Sequence, residues 1–153
     1  YALVYITFPP INHFLFLFFL THLYFIPYID YFYVDMKIMD KAQCKQVLGG
    51  NLDLYKLNLK LLTDEKQIVV RVPVIGGYTD LRENRKLIIA EIKKYETSII
   101  KVELIKEHHL GVSKYESLGR AIPVYLGVDD SLLEQYKKEL EAVTNIPIEI
   151  CKI

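Results

Sequence analysis

From Tyr31 onward the apolar positions come in short blocks that switch between the periods of strands and helices. Tyr31-Phe32-Tyr33-Val34 runs without a polar break, as a strand covered on both faces does, and ends at Asp35-Met36-Lys37. Asp40 is placed to cap a helix carried by Lys41 to Leu48 and stopped by Gly49-Gly50. Leu52 to Leu62 predicts a second helix with Leu54, Leu57 and Leu61 on one face and Thr63-Asp64 as its end. A strand over Gln67 to Ile75 leads through Gly76-Gly77-Tyr78-Thr79-Asp80 to a helix from about Arg82 to Tyr95, where Leu87, Ile88, Glu91, Ile92 and Tyr95 keep an amphipathic period. Ile99 to Ile105 is the next strand. Lys106 to Gly119 holds two His and two Gly and reads as a long loop, with room for a short helical turn at Tyr115 to Leu118. Loops of that length inside compact domains are often functional. Val124 to Leu126 suits a short strand, Asp130 caps a helix to Val143, and Ile146 to Ile150 is a last strand that Pro147 assigns to an edge or a tail. Strands alternating with helices give an α/β class with parallel strands, whose chemistry sits beyond the carboxyl ends of the strands.

Composition divides the chain. Tyr1 to Ile29 contains no Asp, Glu, Lys or Arg, and all seven Phe lie at or before Phe32. Residues 28–153 therefore read as the α/β domain and residues 1–27 as an uncharged apolar and aromatic segment of no assigned role. A span needs about 20 predominantly apolar residues. Ile11 to Ile29 has that length, but Asn12, His13, Thr21, His22 and Pro27 interrupt it and no basic residue precedes it. A membrane anchor, a buried core segment and a stretch of an interrupted gene all remain open, and a start at Tyr1 with no Met suits an incomplete chain. At 153 residues there is room for a single domain. The 19 basic and 19 acidic side chains cancel, which removes the electrostatic argument for nucleic acid as a partner. Cys44 and Cys151 match neither a disulfide framework nor a zinc spacing, so a reducing, cytoplasmic setting is expected.

At the strand ends the candidate groups are few. Asp35 and Lys37 fall on the same side by alternation, a carboxylate and an ammonium suited either to an amino-acid-like ligand or to a solvated ion pair. Arg71 interrupts the apolar run Val69-Val70-Arg71-Val72 and must find an acceptor, in a salt bridge or in a ligand, because a guanidinium does not lose its proton. His108 and His109 follow the third strand. Gly76-Gly77 lets backbone come close to a ligand but lacks the rest of a phosphate-loop pattern.

In order, Tyr31-Phe32-Tyr33-Val34-Asp35-Met36-Lys37-Ile38-Met39-Asp40, Arg71-Val72-Pro73-Val74-Ile75, Val102-Glu103-Leu104 and His108-x-Leu110-Gly111-x-x-Lys114-Tyr115-x-x-Leu118-Gly119 resemble the carboxyl half of a glycyl-radical enzyme activase. These are radical S-adenosylmethionine proteins, pyruvate formate-lyase activase being the familiar one. The resemblance runs from about Tyr28 to the C-terminus. It implies the C-terminal half of a partial (β/α) barrel of radical adenosylmethionine type, with parallel strands and covering helices. It also implies adenosylmethionine and a four-iron, four-sulfur cluster as cofactors, and a glycyl-radical enzyme as the partner from whose glycine a 5′-deoxyadenosyl radical takes hydrogen. Asp35 and Lys37 match the D-x-K pair near the methionyl group and its cation, Arg71 the arginine of the R-x-P-V-I strand, and His108 the histidine after V-E-L.

The sequence departs from that pattern at several points. The CxxxCxxC triplet that holds the family's cluster is not in this sequence, nor is the Gly-Gly-Glu strand that takes the ligand's amino group. Cys44 stands where the family usually has His, and a lone Cys on an apolar helix face is usually inert packing. Gly76 replaces a Pro, and Lys106-Glu107 replaces Pro-Tyr. The expected protein is a truncated activase, inactive alone. The alternatives are a half-barrel that only docks a partner and an α/β domain on a membrane anchor. Uncovered strands make self-association the expected behaviour of the isolated chain.

Overall fold

The successive strand and helix units close on one another in a computed structural model, which describes residues 3–6, 26–107, 112–121 and 126–151, with only the backbone at 3–6, 26 and 112–114. Five parallel strands lie side by side in chain order: β1 (Leu3–Ile6), β2 (Tyr31–Asp35), β3 (Ile68–Val74), β4 (Ile99–Lys106) and β5 (Ile148–Cys151). The crossovers carry α1 (Lys41–Leu48) and α2 (Leu52–Glu65), then α3 (Arg82–Lys94), then α4 (Val112–Ser117) and α5 (Asp130–Glu141). Among the described residues the order never reverses, so these strands have no switch point of the doubly wound kind. Helix residues Leu59, Ile88, Ile92, Leu133 and Tyr136 join Phe32, Val34, Val70, Val72, Val102 and Leu104 in one buried cluster, which places these helices on one face of the sheet. Sequential parallel strands with helices on one side form an arc of a (β/α) barrel, as expected. The other sheet face mixes half-buried charged side chains, Asp35, Arg71, Lys101 and Glu103, with buried Val69 and Ile105.

Local signals account for most boundaries. The Asp40 carboxylate accepts the Gln43 N–H and Gly49, at φ 65°, ends α1. Asn51 caps α2 by accepting the Leu54 N–H. The apolar face of α2 differs from the one expected: Leu52, Tyr55, Leu59 and Leu62 are buried, whereas Leu57 is exposed. Both stripes fit a 3.6-residue period in a helix this rich in Leu, and tertiary contact chooses between them. The Tyr55 hydroxyl donates to the Asp35 carbonyl at 3.1 Å, which turns the 52/55/59/62 stripe inward. Thr63 does not end the helix either; its hydroxyl bonds back to the Leu59 and Lys60 carbonyls and the helix runs on to Glu65.

On α3, Ile88, Glu91 and Ile92 are buried as expected, but Leu87 is exposed and the inner face also takes Asn84 and Arg85. Arg85 is held by two bonds to Glu139 of α5, at 3.1 and 3.2 Å, so its charge is paired where it is buried. Asp129, not Asp130, occupies the cap position of α5, and Asp130 instead pairs with Lys106 at 2.8 Å. The short helix expected at Tyr115 begins earlier, at Val112. Val124 and Tyr125 lie outside the described residues, as does nearly all of the candidate span at 11–29; Leu126 makes an antiparallel bridge to Gly76. Among the described residues no helix is long and apolar enough to cross a membrane. Pro147 sits where expected, before the edge strand β5, and its carbonyl accepts the Val102 N–H.

One carboxylate ties the far end of the arc together. Glu96 accepts the Thr144 hydroxyl at 2.7 Å and the Asn145 N–H at 3.0 Å and pairs with Lys93 at 2.6 Å. The Lys93 bond, then those from Asn145 and Thr144, draw its carboxyl down from 4.5 to about 2. A folded-state value below the unfolded one stabilises above the unfolded value, and that contribution disappears as pH falls through the folded value. Glu96→Gln is therefore expected to lower the urea midpoint at pH 6, the difference from wild type closing between pH 4.5 and about 2. A difference that persisted unchanged at pH 2 would show that the side-chain bonds, not the charge, matter.

Candidate functional site

Parallel strands in register place partnered residues on the same face. Asp35 pairs with Arg71, Arg71 with Glu103 and Glu103 with Glu149, a row of charged side chains across β2 to β5 on the face away from the core. Lys37 reaches Asp35 at 3.3 Å just past the end of β2, and the Arg71 guanidinium lies 3.7 Å from Glu103. Glu103 thus supplies a carboxylate beside Arg71. Lys101 sits between Glu103 at 2.7 Å and Glu149 at 3.0 Å, and these two bonds, Glu103 first, raise its ammonium well above the ordinary lysine range. Glu103 and Lys101 were the less visible members of this row. Their signal was the alternation Lys101-x-Glu103 in an otherwise apolar strand.

Where β2 ends, a cavity of about 110 Å³ opens between the strand end and α1 and α2. Asp35, Lys37, Met39, Cys44, Asn51 and Tyr55 are among its walls. The Asp35 and Lys37 side chains are 17% and 35% exposed, so the pair is neither solvated freely nor locked in the core. Cys44 is buried there, and burial followed by the Asp40 charge raises its thiol, which keeps it protonated. Two buried residues not anticipated from the sequence hold this strand end: Tyr55, through the Asp35 carbonyl, and Asn84, which accepts the Met39 N–H at 2.8 Å and donates to the Lys37 carbonyl at 2.7 Å.

His108 and His109 lie outside the described residues. The bases of their loop are fixed. Glu107 accepts the Val128 N–H at 2.7 Å, and Lys106 holds Asp130. The close approach that Gly76 allows is made by Leu126 rather than by a ligand: a β-carbon on Gly76 would lie 1.9 Å from the Leu126 carbonyl oxygen. Gly76→Ala is expected to cost about 1–3 kcal/mol, as overpacking against unyielding backbone does. Urea unfolding measures it, and hydrogen exchange at Leu126 to Val128 should quicken in step. An unperturbed midpoint would mean that this bridge carries no stability.

The cofactors implied by the resemblance fit unequally. Beside the cavity, Asp35 and Lys37 offer opposite charges to a zwitterionic methionyl group, and that donor set suits adenosylmethionine. A four-iron cluster does not fit: Cys44 and Cys151 are the two cysteines present and they lie on different faces of the sheet. Glu103, Glu149 and Cys151 bring ligand atoms within 4.8 Å of one another, but Lys101 already neutralises the carboxylates and burial raises the thiol.

No family model matches the chain. It is 37% identical over 98 residues to the indoleacetate decarboxylase activating enzyme of Tractidigestivibacter scatoligenes, which covers 61% of this chain and 30% of that protein. It is 35% identical over 98 residues to the 4-hydroxyphenylacetate decarboxylase activating enzyme of Clostridium scatologenes, covering 62% and 31%. The chain resembles the C-terminal part of glycyl-radical enzyme activating enzymes. It spans just under a third of the length of these relatives. The activase-like fold is also that of a domain of pyruvate-formate lyase-activating enzyme from Bacteroides vulgatus, with a TM-score of 0.66 at 14% identity over 83% of this chain and 70% of that one.

Proposed function

We propose that this activase-like chain supplies the adenosylmethionine-gripping strand ends of a glycyl-radical enzyme activase, and that it acts only together with a cluster-bearing part, since its own residues include no three-cysteine site. The observation that carries this reading is the Asp35 and Lys37 pair at the carboxyl end of β2, in register with Arg71 and beside a cavity. In this assignment the Lys37 ammonium faces the ligand's carboxylate and Asp35 its amino group or an associated cation. Arg71, held beside Glu103, is the register partner of Asp35, and His108 is assigned to the same site by the resemblance alone. Bound adenosylmethionine would supply the radical chemistry; the residues of this chain bind and orient it. The partner is a glycyl-radical enzyme, the class on which the named relatives act as activating enzymes.

Equilibrium dialysis of adenosylmethionine against the full chain tests this. Binding is expected to be saturable, and Lys37→Met and Asp35→Asn are each expected to weaken it about ten-fold or more, the usual cost of removing a charge-assisted contact. Unsaturable binding, or affinity indifferent to both substitutions, would overturn the assignment.

A further inference from the structure

Asp35 is the last residue of β2 and is still paired with Arg71, but beyond it the chain runs through Lys37 with no strand neighbour to keep it in place. Side chains from two helices take over that task. The Asp35 carbonyl accepts the Tyr55 hydroxyl at 3.1 Å, and the Met36 N–H still reaches the Arg71 carbonyl at 2.8 Å. Beyond that point Asn84 does the work of a strand. Its amide oxygen accepts the Met39 N–H at 2.8 Å and its amide nitrogen donates to the Lys37 carbonyl at 2.7 Å and to the Thr79 carbonyl at 3.2 Å.

We infer that Asn84 is the positioning residue of the Asp35 and Lys37 pair: its amide clamps the backbone on either side of Ile38 and so fixes where the Lys37 side chain begins.

Asn84 is 3% exposed in the first turn of α3. A buried amide is unfavourable unless its hydrogen bonds are made, and this one makes three, two of them to the segment after β2, over forty residues distant in sequence. Its third bond, to Thr79, joins the same clamp to the loop after β3. Thr79 is itself pinned, donating to the Pro73 carbonyl and accepting the Ile75 N–H at 2.7 Å. The segment after β2, which carries Lys37, and the loop after β3 are thereby held in one frame. Met36, Ile38 and Met39 are buried and anchor the segment from below, whereas Lys37 points away from the core with its side chain 35% exposed. A lysine has four rotatable bonds, so only a fixed backbone confines its ammonium. Holding a binding group in place before the ligand arrives removes an ordering cost from binding.

The consequence for affinity rests on the function proposed above; the clamp itself does not, and two readouts separate them. Hydrogen exchange on the full chain reports the clamp, and dialysis with adenosylmethionine reports the grip. Asn84→Ala is compared with Glu139→Gln, which loosens α3 through Arg85 without touching the strand end. Where Asn84→Ala folds poorly, Asn84→Asp keeps the acceptor for Met39 and loses both donors. In either variant exchange within residues 36–40 is expected to rise on the order of ten-fold beyond the Glu139→Gln control, and affinity to fall on the order of ten-fold. Exchange no faster than in the control would overturn the clamp. Faster exchange with wild-type affinity would overturn its link to the ligand. If wild-type chain fails to bind adenosylmethionine, the proposed function falls, and the exchange data still decide what Asn84 does.

Discussion

Reconstituted anaerobically with iron and sulfide, the 153-residue chain is expected to retain no stoichiometric four-iron cluster. A cluster open at one iron takes three thiolates converging on a single point. The sequence contains two cysteines, and the fold separates them. Cys44 belongs to the buried cluster on the helix side beyond the end of β2, whereas Cys151 shares the opposite sheet face with its neighbour Ile105 on β4. From β2 to β5 is three strand spacings, roughly 14 Å. Nor are the thiols prepared as ligands, for burial raises both above 9.0, and metal binding must then meet the cost of deprotonation. Iron and sulfide analysis with electron paramagnetic resonance of the reduced protein measures the outcome. A stoichiometric cluster whose signal responds to adenosylmethionine on the monomer would mean that the cluster is held in a way this fold does not provide.

Phe32→Ala is expected to be the most destabilising single substitution at the strand end. Phe32 is fully buried in β2, with Val4 of β1 and Ile68 of β3 as its register partners, at the point where the helices' apolar faces meet the sheet. Truncating such a ring leaves a cavity that packed neighbours cannot close, at a cost of about 3–5 kcal/mol. Whole domains are stable by roughly 5–15 kcal/mol, so a large part of the fold's margin would go. Urea unfolding followed by circular dichroism reads it. A loss below about 1 kcal/mol would show that β2 is not integrated in the core as the burial indicates.

The elements that could be read along the chain were those governed by local chemistry. Asp40 with Gly49-Gly50, the unbroken apolar runs of β2 and β3, and Pro147 at an edge act through caps, side-chain periodicity and a missing N–H, and each needs only neighbouring residues to take effect. The pairing of Asp35 with Lys37 was legible for the same reason, two residues apart on one strand end. What tertiary structure alone decided was every choice between locally equivalent options. α2 carries two apolar stripes, and the Tyr55 bond to Asp35 selects one. Arg71 needed an acceptor, and register with β4 made it Glu103. Asp129 and Asp130 are both good caps, and Lys106 draws Asp130 away. Asn84 looks like any polar residue in the first turn of a helix until the crossover brings it against Lys37 and Met39. Periodicity records which residues avoid water; it holds no record of partners forty positions away, because those distances are set only when the sheet assembles.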